Sequence, residues 1–391
     1  MASNQVIRVG IDARFITHQP RRGIGNYSLN LINELVNLDL TIEYVLYISD
    51  PDVEGILPHL PNVKIRLLWP SSYPFWENIA LPLAIKKDHL NVLHCLGNTA
   101  PIFVSSRVRL VLSIMDVMFL QTGEFLPRPT TLYQKLGRLY RALLVPFVAR
   151  LANKIITISE FSKKDILDLV SGVDEDQIRV IHLSCDPIFL NESVGADNSV
   201  GNITEIIHAP FIFCLGANDP RKNTFRLVCA YLKLLKQKNT PENLVISGYA
   251  NWEKSESYRV VKEAGAESRV KFLDFITINE LAMLYRNAVV FVYPSLYEGF
   301  GIPVLEAFSS GCPVIASNVT SIPEVGGDAA LYFDPRSEDQ IANSLQLVLS
   351  DSVLRETLKE KGRVRAKQFS WSKTARKTLA VYKACQNESN Q

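Results

Sequence analysis

Residues 211–223 read FIFCLGANDPRKN, and this stretch decides the fold that the sequence predicts. Its first five residues are apolar without alternation, which is typical of a strand buried on both faces of a parallel sheet. A glycine, a turn and two adjacent cations follow before a helical pattern begins. In an open α/β sheet, ligands bind at the carboxyl ends of the strands. The stretch therefore predicts a strand, a loop and a helix, with two cations at a ligand-binding edge.

The same alternation of short apolar strands and longer helical patterns extends along the chain. The first half contains predicted strands at residues 6–11, 42–48, 63–68, 92–94, 109–114 and 155–158. The second half contains predicted strands at residues 211–215, 244–247, 270–272, 289–293, 314–316 and 330–333. This pattern predicts an α/β fold class with two doubly wound, Rossmann-like domains. We place the domains at residues 1–188 and 206–369, joined by the polar, turn-rich linker 189–205.

The composition excludes several classes of protein. With 47% hydrophobic and 21% charged residues, the 391-residue chain has the composition of a globular protein rather than a disordered one. A net charge of only +2 argues against a protein that coats nucleic acid. The six cysteines show no metal-ligand spacing, and we find neither a signal peptide nor an apolar run of about 20 residues. We therefore expect a cytoplasmic protein with reduced cysteines.

Arg221 and Lys222 are the first candidate site residues. Two adjacent cations directly after a strand suit the negative charge of a diphosphate. The alternative is a solvated basic turn, and the position at the end of a strand argues against it.

A pair of glutamates forms the second candidate group, in the motif Glu298-Gly-Phe-Gly-Ile-Pro-Val-Leu-Glu306. The motif predicts Glu298 in a loop and Glu306 in a helix that begins near Pro303. The amides at the start of such a helix attract an anion, and the two carboxylates can accept hydrogen bonds from sugar hydroxyls. Complementation of the helix dipole would explain Glu306 alone, but it would not explain the glycine-flanked pair.

A third candidate lies near the start of the chain, at Gly23-Ile-Gly25. These glycines follow a strand and open a helix, with Arg21 and Arg22 before them, so the segment can cradle an anion. As a dinucleotide fingerprint the segment is weak, because its third glycine position is Ser28. The alternative is a helix-entry loop in which the glycines serve geometry alone.

These motifs resemble the retaining nucleotide-sugar glycosyltransferases of family four, which have the GT-B fold. The resemblance rests on Gly216, Arg221, Lys222, Asn223, Glu298, Phe300, Gly301, Ile302, Pro303 and Glu306, and at the start of the chain on Gly10, Asp12, Arg14, Gly23, Gly25 and Tyr27. The motifs at the start are similar to the branch that builds bacterial surface polysaccharides. The fold implied has an acceptor-binding first domain and a nucleotide-sugar-binding second domain that face a central cleft. A C-terminal helix within residues 370–391 would cross back to the first domain.

The resemblance also implies roles for the candidate residues. Arg221 and Lys222 would hold the donor diphosphate and stabilise it as it leaves, and Glu298 would face the transferred sugar. Glu306 would accept both ribose hydroxyls. Further donor contacts would come from Gly216, Gly248, Ile276, Gly299, Phe300, Gly301, Ile302 and Val304, with the base near Gly248 and the loop 275–277.

The function implied is the transfer of a hexose from a nucleotide diphosphate sugar to a saccharide or a lipid-linked oligosaccharide. A UDP-hexose such as UDP-glucose is the favoured donor, and GDP-mannose is the alternative. No cofactor and no metal are expected, because the two cations and the helix N-terminus supply the charge stabilisation. Two other functions stay open: an epimerase or phosphorylase-like activity on the same architecture, and a non-catalytic nucleotide-binding module.

The sequence departs from the family at Met115-Asp116, where many members of this branch have His-Asp. Asp116 is retained, and we keep it as a candidate catalytic residue on the acceptor side. The alternative is that Met115 fills an apolar gap and Asp116 caps the following loop.

Residues 128–154 suggest where the acceptor is reached. The segment carries six cations and no acidic residue among leucines and aromatic residues, so it can lie on an anionic membrane. This would place the cytoplasmic protein at the inner face of the cell membrane. The alternative is an ordinary helix whose apolar stripe packs in the core.

Overall fold

The computed structural model describes residues 7–18, 23–121, 132–190, 203, 206, 209–237 and 240–387. These residues divide into two units. The first contains those up to Gln121, those from 132 to Leu183 and those from Ser370 onward. The second contains those from Ser184 to Phe369.

A sheet of parallel strands forms the centre of the first unit. Its seven strands are β1 (Arg8–Asp12), β2 (Glu43–Ile48), β3 (Val63–Leu67), β4 (Val92–Cys95), β5 (Arg109–Ser113), β6 (Lys154–Thr157) and β7 (Ile178–Val180). They lie in the order β3-β2-β1-β4-β5-β6-β7, and all neighbouring pairs are parallel. The sequence predicted six of them to within two residues. It missed β7, whose three residues carry too short an apolar run.

The first unit places helices on both faces of this sheet. They include α1 (Arg14–Thr17), α2 (Gly23–Leu38), α3 (Tyr73–Phe75), α4 (Leu81–Asp88), α5 (Leu132–Leu151) and α6 (Glu160–Leu169), with a π-helical turn at Trp76–Ala80 between α3 and α4. Leu81 of α4 and Val148 of α5 belong to the same buried cluster as Leu93 and Leu112 of the sheet. Helices α4 and α5 therefore cover one face together.

The second unit repeats this plan with six strands. They are β8 (Phe211–Leu215), β9 (Asn243–Ser247), β10 (Val270–Leu273), β11 (Val290–Tyr293), β12 (Val314–Ser317) and β13 (Ala330–Phe333). Their order is β10-β9-β8-β11-β12-β13, again all parallel. All six were predicted to within one residue, because both faces of each strand are packed and the apolar runs are continuous.

The second unit also carries the helices that connect these strands. They are α7 (Thr224–Gln237), α8 (Glu256–Glu263), α9 (Ile278–Asn287), α10 (Ile302–Ser309), α11 (Ile322–Gly326), α12 (Glu338–Ser350) and α13 (Ser352–Ala366). Tyr231 of α7 and Leu345 of α12 pack in the buried cluster that includes Ile212 and Leu244 of the sheet.

The last helix, α14 (Trp371–Asn387), packs against α2 in the first unit. Ser370 caps it, because the Ser370 hydroxyl accepts a hydrogen bond from the Lys373 amide at 3.2 Å. Farther along, the Tyr382 hydroxyl lies 2.6 Å from His94 Nδ1 of β4. Burial lowers the pKa of His94 to about 3, so this imidazole is neutral at physiological pH.

Both sheets have the doubly wound topology that the sequence predicted. In each sheet the chain order runs outward in both directions from one central strand, β1 in the first and β8 in the second. The strand order therefore reverses between β1 and β4 and between β8 and β11. Ligands of doubly wound sheets bind at such a switch point, beyond the carboxyl ends of the strands. This confirms the α/β fold class, and it directs attention to the loops after β8 and β11.

Candidate active site

The loops that follow β8 and β11 carry most of the predicted site residues. Both strands are central and pair with each other, as Ile212 with Val290 and Phe213 with Phe291. The loop after β8 continues into a short 3-10 helix, Pro220–Lys222, and then into α7. The loop after β11 contains Glu298 and leads into α10. The topology thus brings two segments that are about 75 residues apart to one switch point.

Lys222 and Glu298 form an ion pair across this switch point. The Lys222 Nζ lies 2.7 Å from Glu298 Oε1, with the two side chains 26% and 15% exposed. The ammonium also lies 5.5 Å from the centre of the Tyr293 ring. Burial alone would raise the pKa of Glu298, but the Lys222 charge and hydrogen bonding outweigh it and lower this pKa. Glu298 is therefore a carboxylate at neutral pH.

Arg221 is held by Asp219, a residue that the sequence did not single out. Its Nε donates to both carboxylate oxygens at 3.1 and 3.0 Å, and its Nη2 donates to Oδ2 at 2.5 Å. Asp219 also caps the short helix, because its Oδ1 accepts from the Arg221 amide at 3.0 Å. The Asp-Pro dipeptide before the cations is a helix-start signal that could have identified this partner.

Asn223 fastens the loop after β8 to the rest of the site. It ends the short helix in the left-handed region, with φ at 54°, which asparagine tolerates better than most residues. Its buried amide donates to the Pro294 carbonyl at 3.0 Å and to the Pro335 carbonyl at 2.7 Å. The carbonyl of Arg221 accepts from the Leu296 amide at 2.7 Å. These bonds hold the loop after β8, here called the cation loop because it carries Arg221 and Lys222, against the loop after β11, here called the Glu298 loop.

The Glu298 loop is also fastened on its other side. The Ser321 hydroxyl donates to the carbonyls of Glu298 and Phe300 at 2.8 and 2.7 Å. Gly301 then takes a φ of 120°, which only glycine adopts readily, and α10 begins at the next residue. The backbone of Gly299, Gly301 and Ile302 therefore lies at the start of this helix, as the sequence predicted.

The side chains of two residues with predicted donor contacts in this segment, Phe300 and Val304, lie in the core. The side chains of Phe300 and Val304 are 3% and 0% exposed. The Val304 amide already donates to the Gly301 carbonyl at 3.0 Å. Val304 lies in the first turn of α10 and Phe300 just before that helix, and both side chains are buried, so neither is offered to a ligand. The donor contacts predicted for the amides of Gly299 to Ile302 stay predictions.

Glu306 lies on α10, eight residues after Glu298. The Tyr285 hydroxyl donates to its Oε2 at 3.0 Å. Burial raises the pKa of Glu306 to about 7, and the Asp186 charge adds to this, against the opposing effect of the Tyr285 hydrogen bond. Glu306 therefore changes its charge near neutral pH, whereas Glu298 does not.

Gly216 and Gly248 lie side by side at the ends of β8 and β9. A Cβ on Gly216 would lie 2.4 Å from Ile246 Cγ2, and a Cβ on Gly248 would lie 3.3 Å from the Gly216 carbonyl oxygen. Gly248 also has a φ of 84°. Only glycine fits both positions. In the neighbouring loop Ile276 is half-buried and the Phe275 ring is 67% exposed, which suits stacking on a base.

The candidates of the first unit lie at the start of α2 and after β5. Gly23 begins α2 and Gly25 lies buried in its first turn, so the predicted helix start is present. A Cβ on Gly23 would meet nothing within 4 Å, so space does not require glycine there. Arg21 and Arg22 lie outside the described residues.

Met115 and Asp116 follow β5, and their surroundings agree with the alternative that the sequence left open. Met115 is only 8% exposed, and its amide donates to Asn98 Oδ1 at 2.8 Å. Asp116 Oδ1 accepts from the Met118 amide at 3.2 Å, at the start of a short 3-10 helix, Met118–Leu120. Met115 is thus buried and Asp116 caps the next turn, and a catalytic role for Asp116 stays a prediction.

Two protein families match almost the whole of both units. "Glycosyltransferase Family 4" matches residues 21–188, and "Glycosyl transferases group 1" matches residues 205–365. Among solved structures, sucrose-phosphate synthase from Thermosynechococcus elongatus has a TM-score of 0.72 at 20% identity, over 97% of this chain and 98% of that chain. The Anabaena protein HepE in complex with UDP has a TM-score of 0.69 at 16% identity, over 97% and 100%. At these identities the likeness shows the fold.

Characterised relatives are nearer in sequence. "O-antigen chain mannosyltransferase B" of Escherichia coli is 36% identical over 232 residues, which are 59% of this chain and 61% of that protein. "O-antigen chain mannosyltransferase RfbU" of Salmonella typhimurium is 29% identical over 287 residues, which are 72% of each chain. The match thus spans less than two thirds of the Escherichia coli relative. From the two family matches and the GT-B-like fold, the chain belongs to the glycosyltransferases, with residues 21–188 in family 4 and residues 205–365 in group 1.

Proposed function

We propose that this protein transfers a hexose from a nucleotide diphosphate sugar to a saccharide acceptor, with retention of the anomeric configuration. The observation that carries the proposal is the Lys222–Glu298 ion pair at the switch point of the second sheet. It brings a cation suited to a leaving diphosphate and a carboxylate suited to sugar hydroxyls into direct contact. Membership in the glycosyltransferase families supports the same reaction.

In the proposed reaction the bond between the sugar C1 and the β-phosphate oxygen breaks. The acceptor hydroxyl oxygen bonds to C1 on the same face, and the departing phosphate takes the acceptor proton. Lys222 and Arg221 stabilise the negative charge that develops on the diphosphate. Glu298 stays ionised, because Lys222 lowers its pKa, and it accepts hydrogen bonds from the sugar. Glu306 receives the ribose hydroxyls.

A transfer assay tests this reaction. We expect Lys222→Ala to reduce transfer at least about 100-fold, because an electrostatic contact to a developing charge is worth about 2.7–4 kcal/mol. The matched control is Lys233→Ala, which removes an exposed pair with Asp339 in the same unit and should leave the rate unchanged. Near-normal transfer by Lys222→Ala would contradict the proposal. Formation of an isomerised nucleotide sugar or a sugar phosphate, in place of a glycoside, would favour an epimerase or a phosphorylase-like activity.

For the donor we propose GDP-mannose, although the sequence by itself favoured a UDP-hexose. The support is that two relatives, 36% and 29% identical to this chain, are named as O-antigen chain mannosyltransferases. The UDP complex is of a protein only 16% identical, so it bears on the fold. Thermal shifts with GDP-mannose and with UDP-glucose separate the two, since a ligand that binds only the folded state raises its stability. A larger shift with UDP-glucose would overturn the choice of mannose.

Retention and independence from metal complete the chemical proposal. The support for both is the family resemblance together with the cations Arg221 and Lys222, which can take the place of a metal at the diphosphate. Proton NMR of the first-formed product tests retention, and a product with the opposite anomeric configuration would overturn it. Transfer in the presence of EDTA tests the second point, and a loss that Mg²⁺ or Mn²⁺ restores would overturn it.

We further propose that the acceptor is a growing surface polysaccharide, free or lipid-linked, reached at the inner face of the cell membrane. None of the described helices is long and apolar enough to cross a membrane. Contact would therefore be peripheral, and the described part of residues 128–154 supports it because this part has three arginines and no acidic residue from position 136 to 151. Transfer to a lipid-linked saccharide, compared with the same saccharide without lipid, measures the preference.

A further inference from the structure

Helix α5 has two apolar faces, and only one of them is buried. Leu144, Val145, Val148 and Ala149 pack in the core of the first unit. On the opposite face the leucines and the phenylalanine spaced three or four residues apart are 44–69% exposed: Leu136, Leu139, Leu143, Phe147 and Leu151. Among the side chains that the structure describes, the apolar stripe of the sequence therefore lies on the surface except for the partly buried Tyr140, and a different face of the helix packs in the core.

A second exposed apolar stripe lies on the neighbouring helical segment, residues 73–88. Phe75, Ile79 and Leu83 are 57%, 48% and 60% exposed at intervals of four residues. Trp76 and Leu81 of the same segment are buried against the sheet. The segment thus repeats the arrangement of α5, with one face in the core and one apolar face in solvent.

Tyr140 joins these two helical segments. Its hydroxyl donates to Glu77 Oε1 at 2.9 Å and accepts from Asn78 Nδ2 at 3.1 Å. Its ring packs edge-on against Tyr73, with the ring centres 5.7 Å apart. Glu77 is fully buried, and Arg14 Nη2 donates to its other oxygen at 2.5 Å. These contacts fix the two stripes next to each other, so the surface is formed before any partner arrives.

Phe103 extends this surface between the far ends of the two helices. Its ring is 81% exposed. A groove of about 670 Å³ lies between Phe103 and Lys86 of α4, and a second groove of about 310 Å³ lies between Phe103 and Leu151 of α5. Phe103 thus lies beside the ends of both helices.

The charges around these side chains are of one sign. Residues 73–109 and 136–151 contain two acidic residues, Glu77 and Asp88, and both are buried and hydrogen-bonded. The exposed ionic side chains of these segments are Lys86, Lys87, Arg107, Arg141 and Arg150. Lys86 and Lys87 follow Leu83 at three and four residues, so they lie at the end of its stripe.

We propose that the exposed faces of residues 73–88 and α5, together with Phe103, form one surface that docks on an anionic lipid bilayer. We call it the helix-pair surface. Its apolar side chains insert at the level of the headgroups and its cations meet the lipid phosphates. This inference deepens the proposed function, since it gives the surface on which a lipid-linked acceptor is reached.

The charges favour a bilayer over a second copy of the chain. A two-fold interface brings the same patch of both copies together. The cations of the helix-pair surface would then face one another with no exposed acidic partner among the described residues of these segments. The phosphates of an anionic bilayer would supply negative charge to all of these cations.

Vesicle flotation of the full chain tests the surface. Vesicles of 30% phosphatidylglycerol in phosphatidylcholine are compared with pure phosphatidylcholine at low salt. We expect flotation with the anionic vesicles only. Phe75→Ser/Leu83→Ser and Leu139→Ser/Leu143→Ser should each lower binding at least about tenfold through lost apolar burial. Lys86→Glu/Lys87→Glu should do the same through charge. Leu347→Ser/Val364→Ser, which replaces exposed apolar residues of the second unit, is the matched control and should float like the wild type.

Three outcomes would overturn the inference. No flotation of the wild type would exclude the bilayer. Wild-type flotation by the Phe75→Ser/Leu83→Ser variant would exclude the helix pair. A dimer in solution that the serine variants abolish, without effect on flotation, would identify a second copy as the occupant. Transfer to a soluble saccharide is measured in parallel, where the variants should match the wild type. Flotation without any sugar transfer would contradict the proposed function and leave the surface standing.

Discussion

Replacing Lys222 by alanine should destabilise the second unit as well as stop transfer, because Glu298 would lose its counter-ion. Breaking a fully buried ion pair costs about 3–5 kcal/mol. The two side chains are 26% and 15% exposed, so water compensates part of this cost. We expect a loss of about 2 kcal/mol, which corresponds to a melting temperature lower by about 4–8 °C in a domain of this size.

Thermal melting monitored by circular dichroism measures this effect. Lys233→Ala is the control, because its pair with Asp339 has side chains 43% and 69% exposed and should contribute little. Lys222→Met/Glu298→Gln should recover most of the stability, since no unpaired charge is left in the site. Transfer should stay low in both Lys222 variants.

The pH dependence gives a further check on the same pair. The folded-state pKa of Glu298 is lowered, so the pair stabilises the fold above the ordinary pKa of 4.5 and this stabilisation is lost as the pH falls through the lowered value. The deficit of Lys222→Ala should therefore be full at pH 7 and shrink only as the pH falls below 4.5. The reasoning is refuted if Lys222→Ala melts within about 1 °C of the wild type at pH 7, or if the double variant melts lower than Lys222→Ala.

Three further changes test other parts of the site. The folded-state pKa of Glu306 is raised to about 7, so affinity for the nucleotide sugar should rise between pH 6 and 8 as the carboxylate forms. Calorimetric titrations measure this profile, which Glu306→Gln should flatten. A wild-type profile without this rise would contradict the binding of the ribose hydroxyls by Glu306. Gly216→Ala should lower the free energy of unfolding by about 1–3 kcal/mol in chemical denaturation, because the new Cβ would lie 2.4 Å from Ile246. The control is Gly137→Ala, whose Cβ would meet nothing within 4 Å and should not lower it. Equal stability of the two variants would count against the predicted clash. Asn223→Ala should lower the melting temperature and the affinity for the sugar donor together, because the carbonyls of Pro294 and Pro335 lose the amide that donates to them at 3.0 and 2.7 Å. If neither quantity changes, the loop after β8 keeps its position without these two hydrogen bonds.

The sequence predicted the strands of the second unit because their residues are apolar on both faces. Such runs need no partner to be recognised, and β8 to β13 were located to within one residue. The edge strand β7 was missed, since only Ile178 of its three residues is buried and so short a strand carries little of this signal. The glutamate motif also placed Glu298 in a loop and Glu306 in a helix, because Gly301 and Pro303 are local signals for a helix start.

Other features depend on residues far apart in the chain. The sequence assigned Lys222 to the diphosphate and Glu298 to the sugar, but nothing in it indicated that the two side chains are in contact at 2.7 Å. The contact exists because β8 and β11 are neighbours at the switch point. The same holds for Asn223, whose partners Pro294 and Pro335 are 71 and 112 residues away.

The fold and the site thus depend on two kinds of signal, local sequence patterns and contacts between elements that are far apart in the chain. Apolar runs, glycines and helix caps act within a few residues, so the elements, the doubly wound fold class and the charged residues at the strand ends follow from the sequence alone. Pairing and exposure depend on which elements become neighbours. The three-dimensional arrangement was therefore needed to show that Lys222 neutralises Glu298, and that Leu139 and Leu143 face solvent while the opposite face of α5 packs in the core. An apolar side chain on a helix can pack inward or lie on the surface with the same spacing, and the position of the sheet selects between the two.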